Sequence, residues 1–279
     1  MQSPKHPASA HFVAPLLGIL SLLLGLGCDS PPQGSGASSA ASSASAAPKS
    51  QTPSASSQVA AAPAPPASSA PAAPKPKAPV DCPKTQTVNF SDPVFEKAVR
   101  FKISKPTGAI SKADLGKVKS LDLSQAAANE ALDPCIFPLF VNMTGLYLAP
   151  GKMDDLSPLK SLSKLESLRA SAASVRDLSP LSGLTKLDRL DIGRNPISDL
   201  RPLSTLENLT ELMIDDTEVS DLTPLANLKK LSVLNIKRTR VSDISPLKGL
   251  NELKNLYIEG SLVKDTSALF GKPKLKIIE

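Results

Sequence analysis

Between Asp155 and Lys264 the apolar positions recur with a period of 22 residues, five times over, without insertion or deletion. The copies begin at Asp155, Asp177, Asp199, Asp221 and Asp243, and each fits D-[LI]-x-P-L-x-x-L-x-x-L-x-x-L-x-[IA]-x-x-x-x-[IV]-x. Each copy holds two local patterns. Ser179-Pro180-Leu181 reads as the start of a short helical turn, with a serine able to cap free amides and a proline pre-set for the first helical position. Further on, Leu190 and Ile192 flank Asp191, the alternation of a short strand with one buried face. Leu178, Leu181, Leu184, Leu187 and Ile197 point at the same interior. No unit can bury so many apolar side chains alone, so neighbours must stack, with their strands paired in parallel about 4.8 Å apart. The pattern predicts an α/β solenoid, one parallel β-sheet backed by short helical turns.

The copy at 177–198, DLSPLSGLTKLDRLDIGRNPIS, resembles the 22-residue class of leucine-rich repeats found in bacterial internalins and in eukaryotic phosphatase-regulatory subunits. That resemblance implies a curved horseshoe with its sheet on the concave side, where members of the family bind other proteins. The family often sets Asn at the turn after the strand, its side chain bonding backbone groups of the next turn. Here Asn195 fits, whereas Ala173, Thr217, Thr239 and Ser261 stand at the equivalent places. The turn network is therefore expected to be weaker or differently built.

The flanking residues keep the phase and then lose it. A degenerate unit at 133–154 puts Met143, Leu146, Leu148 and Met153 at core positions, and a partial one at 265–279 aligns Asp265, Leu269, Leu275 and Ile278. Residues 81–132 read as a cap and first strand. Asp92-Pro93 opens a helix with Val94, Phe95, Ala98, Val99 and Phe101 as its apolar stripe, Ser111 with Asp114 opens a second, and Leu121 and Leu123 mark the strand. Five of the six phenylalanines after the first 27 residues fall in the cap or the degenerate unit, which suits a plug over the end of the stack. Lys272, Lys274 and Lys276 with Pro273 blunt the opposite edge, so a monomer is expected.

The first 80 residues belong to another class. Lys5 precedes an uncharged, largely apolar run from Phe12 to Gly27, too short to span a bilayer and suited to an export signal over 1–27. The run ends at Cys28, as in bacterial lipoproteins, which implies cleavage before that cysteine and attachment of lipid to it. An uncleaved anchor, or a cut by the ordinary signal peptidase, is the alternative. Residues 28–80 are almost all Ala, Ser, Pro, Gly and Gln, a composition that cannot offset its ordering entropy and reads as a semi-stiff tether. Export to the bacterial cell envelope, with a lipid-anchored domain held off an outer membrane or cell surface, follows as an expectation. Cys82 and Cys135 then form a natural disulfide pair, closing a loop worth roughly 4 kcal/mol; two unrelated thiols are the alternative.

Little of this composition suits catalysis. The two histidines, His6 and His11, lie inside the expected signal, which leaves no His for a triad or a metal site in the rest of the chain. Gly-rich phosphate loops are missing as well. No enzyme, no cofactor and no metal are expected. From residue 81 onward, 28 Lys and Arg stand against 25 Asp and Glu, interspersed, so no nucleic-acid partner is expected either. Template positions 13, 15 and 17 face away from the core. Read down the stack, position 15 gives Tyr147, Arg169, Asp191, Met213, Asn235 and Tyr257, which include both tyrosines of the chain. Arg189 and Glu211 lie at position 13, and Lys237 at position 17. This mixture has the composition of protein-binding hot spots, so the nine residues are candidate partner contacts for a protein or an envelope component. The competing reading is a structural spacer whose outward residues are merely solvated. Charges alternate between neighbouring copies, with Arg169 beside Asp191, Arg189 beside Glu211, and Asp215, Lys237 and Glu259 in a row. These are expected to pair with each other.

Overall fold

In the computed structural model each repeat supplies one three-residue strand and one 3-10 turn, and stacking sets equal template positions side by side. The structure describes residues 81–125, 132–151 and 153–279. The expected signal over 1–27, Cys28, the tether over 28–80 and both histidines lie outside them. In chain order the elements begin with β1 (Thr87–Val88), α1 (Pro93–Ile103), β2 (Ile110–Ser111) and α2 (Lys112–Leu115). Eight strands follow: β3 (Ser120–Asp122), β4 (Gly145–Tyr147), β5 (Ser167–Arg169), β6 (Arg189–Asp191), β7 (Glu211–Met213), β8 (Val233–Asn235), β9 (Asn255–Tyr257) and β10 (Lys276–Ile278). These eight form one parallel sheet in sequence order, while β1 and β2 pair antiparallel.

From β4 to β9 the register joins residues one repeat apart. Leu146, Leu168, Leu190, Leu212, Leu234 and Leu256 are successive partners, and all are buried. The remaining template leucines, such as Leu203, Leu206 and Leu209, are equally buried, so one continuous core runs along the stack. Truncating one such leucine to alanine costs about 2–5 kcal/mol.

The helical turns are capped differently from the sequence expectation. Ser179 is the first residue of its 3-10 turn and Pro180 the second, and no serine hydroxyl caps the turn. The capping atom belongs to the aspartate that opens each unit. Asp177 Oδ1 accepts the Ser179 amide at 2.8 Å, and Asp155, Asp199, Asp221, Asp243 and Asp265 do the same two residues on. A carboxylate is a stronger acceptor than a hydroxyl, and an Asx turn satisfies the amide locally. The Ser179 hydroxyl itself donates to Asp177 Oδ2 at 2.8 Å.

A second device recurs after the strand. Ala172, Arg194, Asp216 and Arg238 adopt φ of 55°, 55°, 53° and 52°, with Gly260 at 70° in the next copy. Every repeat turns there through a left-handed residue, joined in the first copy by Ser174 at 65°, and only the last copy supplies glycine, the residue that adopts it without strain.

The cap forms where expected, with one correction. Asp92 Oδ1 accepts the amides of Val94 and Phe95, and Ser111 and Asp114 make a reciprocal capping box on α2. Phe95 and Val99 are buried, and the Phe95 ring lies 5.4 Å from Phe137 and 6.2 Å from Phe140. Phe101 is instead 80% exposed and Val94 is exposed too. At 3.6 residues per turn Phe101 sits about 120° around the helix from Phe95, so the two cannot share one contact face. Cys82 and Cys135 are disulfide-bonded with Cα atoms 5.3 Å apart, joining the start of the cap to the degenerate unit. Met143, Leu146, Leu148 and Met153 of that unit are buried.

The last strand slips. Lys276, Ile277 and Ile278 pair with Asn255, Leu256 and Tyr257, one residue short of the repeat. Ile277 therefore takes the core position, and Ile278, aligned with the core in the sequence pattern, falls in line with Tyr257. Leu275 keeps phase, its amide bonding the Lys272 carbonyl as that of Leu253 bonds Leu250, so the residue is dropped at the entry into β10, and the backbone ladder closes at the shorter spacing.

Candidate functional site

Three-residue strands leave two rows of side chains on the outward face of the sheet, and the register fixes their order. Tyr147, Arg169, Asp191, Met213, Asn235 and Tyr257 are consecutive partners, extended by Asp122 at one end and Ile278 at the other. Arg189 and Glu211 are partners in the adjacent row. Lys237 lies just past β8 and reaches back over the face, its Nζ 5.6 Å from the centre of the Tyr257 ring. All nine sequence candidates thus share one surface. Arg169 and Arg189 are exposed, and the other seven are half-buried by their neighbours.

Most of the charge on this face is internally engaged. Arg169 Nε meets Asp191 Oδ2 at 3.0 Å, and Lys237 Nζ meets Glu259 Oε2 at 2.6 Å. The Lys237 hydrogen bond holds the Glu259 carboxyl below its ordinary pKa. Two expected pairs do not form. Arg189 approaches Asp188, its own chain neighbour, at 4.0 Å and not Glu211. Asp215 turns away from Lys237, and its Oδ1 accepts from Asn235 Nδ2 at 3.0 Å. Lys237 has one ammonium group and the longer reach to Glu259 also stacks it over Tyr257, so it leaves Asp215 to the amide.

Asp215 and Glu259 belong to this face as well, although the sequence pattern placed them in the charge row and not among the nine candidates. Asp215 leans over Gly193, where an added Cβ would stand 2.8 Å from its Oδ1, so the glycine makes room for the carboxylate. Burial pushes the Asp215 pKa up, and the charges of Asp191 and Asp216 add to the shift while Arg194 opposes it. The signal was present: Gly193 is the one glycine at position 17, next to an acid. Among the described residues no group of three or more His, Cys, Asp or Glu side chains is arranged to hold a metal. What the surface offers is a pre-ordered strip with an aromatic ring near each end and a mixture of donors, acceptors and one thioether between them.

No protein-family model matches the chain, and no curated protein matches it. Solved structures do. An internalin (inlF) of Listeria monocytogenes superposes with a TM-score of 0.61 at 26% identity over 68% of this chain, which spans only 56% of that one. Internalin C2 (inlC2) of the same organism gives 0.58 at 29% identity, over 67% of this chain and 93% of that one. This is a leucine-rich repeat fold. The plant receptor kinase ectodomain GASSHO1/SCHENGEN3 of Arabidopsis thaliana, solved in complex with CASPARIAN STRIP INTEGRITY FACTOR 2, shares that fold at a TM-score of 0.52 and 22% identity, over 61% of this chain and 22% of that one. In leucine-rich repeat terms the candidate strip is the strand face of the solenoid, the side away from the 3-10 turns.

Proposed function

We propose that this chain is an exported, lipid-anchored leucine-rich repeat protein of the bacterial cell envelope that binds another protein or an envelope component through the outward face of its sheet. The observation that carries the reading is the strip from Tyr147 to Tyr257. Its amphipathic rings and its Met, Asn and Arg side chains stand in fixed order on a rigid ladder, so little side-chain or backbone entropy remains to be lost on binding. The anchor rests on the apolar run that ends at Cys28, and the monomeric state on the lysines at the edge of β10.

A pull-down from envelope extract tests the binding face, comparing wild type with Tyr147→Ala/Tyr257→Ala. A partner captured by the wild type and lost by the variant supports recognition. Identical captures point to the structural spacer, which the internal pairing of Arg169 with Asp191 and of Lys237 with Glu259 would also suit. Metabolic labelling with a fatty-acid probe tests the anchor: it should mark wild type and not Cys28→Ser, and equal labelling of both would remove it.

A further inference from the structure

Between the 3-10 turn and the strand, template positions 6 to 12 form one flank of the solenoid, where stacking sets equivalent residues of successive repeats side by side. In the first three repeats this flank (160–166, 182–188 and 204–210) carries three lysines against three acids. In the next two and the partial unit (226–232, 248–254 and 270–276) it carries seven lysines against Glu252 alone. Charge that looks interspersed along the chain is therefore gathered in space.

Among the described residues no ion pair joins any of the seven to a carboxylate, whereas three arginines away from this flank are matched: Arg201 with Asp199, Arg238 with Asp216 and Arg240 with Glu218. Lys230 donates to Asn208 Oδ1 and Lys272 to the Leu250 carbonyl, contacts that fix the stems and leave the charges uncompensated. Lys248, Lys254, Lys274 and Lys276 are exposed. In their midst Phe270 is 79% exposed, an aromatic ring with no place in the core.

We infer that this basic flank is a docking surface for an anionic lipid bilayer. Lysine ammonium groups are compact point charges, suited to a diffuse field of lipid phosphates, and each adds to the attraction of a negative membrane surface. Arginine, whose fork reads individual phosphates bidentately, is absent from the patch. A single protruding phenylalanine suits insertion at the headgroup level, while stacking along single-stranded nucleic acid calls for a series of rings. The inference is independent of lipidation but fits it, since a tethered domain already meets the bilayer at high local concentration.

The test uses residues 29–279, which lack the apolar run and Cys28 and keep every described residue. It is sedimented with phosphatidylcholine vesicles made with and without phosphatidylglycerol. Wild type is expected to bind only the anionic vesicles, and added salt should release it. Lys248→Glu/Lys254→Glu/Lys274→Glu should lower binding by at least about tenfold. Phe270→Ser should weaken it several-fold while keeping the preference for anionic lipid. Lys164→Glu/Lys186→Glu, on the same flank but outside the patch, should leave it within about twofold. Absence of anionic-lipid binding overturns the inference, as does equal loss in the two lysine variants, which would reduce the effect to net charge. Displacement of the protein from the vesicles by double-stranded DNA at equal phosphate concentration would reassign the patch to a polyanion. Because Cys28 is missing here, failure in this assay says nothing of the labelling result at Cys28, and each idea can fall without the other.

Discussion

Asn195 is the strongest single test of how this solenoid satisfies its buried backbone. Its side chain is 2% exposed and bridges two repeats. Oδ1 accepts the amides of Ala173 and Val175 at 2.9 and 3.0 Å, and Nδ2 donates to the carbonyls of Ala170, Ile192 and Gly193 at 2.8, 2.8 and 3.1 Å. Asn195→Ala leaves both amides without this acceptor in a site closed to water. At about 1–3 kcal/mol for each stranded group, the loss should reach about 2–6 kcal/mol. Asn195→Thr should cost less, because Thr217 and Thr239 show what threonine can do there. Each donates its hydroxyl to one carbonyl, of Ile214 or Ile236, at 2.7 Å, so a threonine at 195 would still serve Ile192. Urea titration gives the stability change, and hydrogen exchange locates it: the Ala173 and Val175 amides should lose protection before those of repeats farther along. A loss under about 1 kcal/mol for the alanine variant, or unchanged exchange at those two amides, would refute the idea that this side chain closes the turn.

Four further outcomes are expected. Ala172→Gly should stabilise by about 1 kcal/mol in the same titration, since φ is 55° there and glycine adopts it without strain; an unchanged midpoint would argue that Cβ is tolerated. Asp243, Asp265, Asp216 and Glu259 have lowered pKa values, from the Ser245 and Ser267 amides, Arg238 and Lys237 respectively, so stability should hold above about pH 5 and decline as pH falls below about 4. Asp215 runs the other way: its raised pKa means that ionisation on the fold costs stability as pH rises, so Asp215→Asn should stabilise at pH 7, with the gain fading as pH falls toward about 4 and absent below that, as read from melting curves across pH. Finally, replacing Cys82 and Cys135 by serine should cost about 4 kcal/mol on chain-entropy grounds for a separation of 53 residues, with the cap melting ahead of the repeats; a single unshifted transition would contradict it.

The repeat was legible because it is stated many times over, and a fixed period of leucines leaves one way to bury them. Strand positions, the core ladder and the outward row all follow from it, and the row is where the candidate site lies. Details with competing solutions were less legible. Either Asp177 or Ser179 could cap the turn, and the carboxylate wins because it is the stronger acceptor. Lys237 had an acid on each side, and only side-chain geometry shows that it chooses Glu259 and the Tyr257 ring. The stripe on α1 was drawn too wide, since an 11-residue helix against one sheet edge buries Phe95 and Val99 but cannot also bury Phe101. The slip of β10 escaped because Ile277 and Ile278 are equally apolar, so hydrophobicity alone does not choose between them. The basic flank was hidden by linear reading: lysines 18 to 24 residues apart are neighbours only once the repeats are stacked.

The unbroken register of β4 to β9 makes the sheet a ruler. Tyr147 and Tyr257 stand at the same template position five strands apart, and with about 4.8 Å per step they are separated by about 24 Å. Excising one whole repeat would leave every leucine facing inward and bring the two rings about 5 Å closer, whereas removing a single residue, as β10 shows, changes which side chain meets the core. Lineages carrying this scaffold can therefore change the span of a recognised surface only in discrete increments, by gain or loss of whole units, while substitutions along the row tune what lies between the marks.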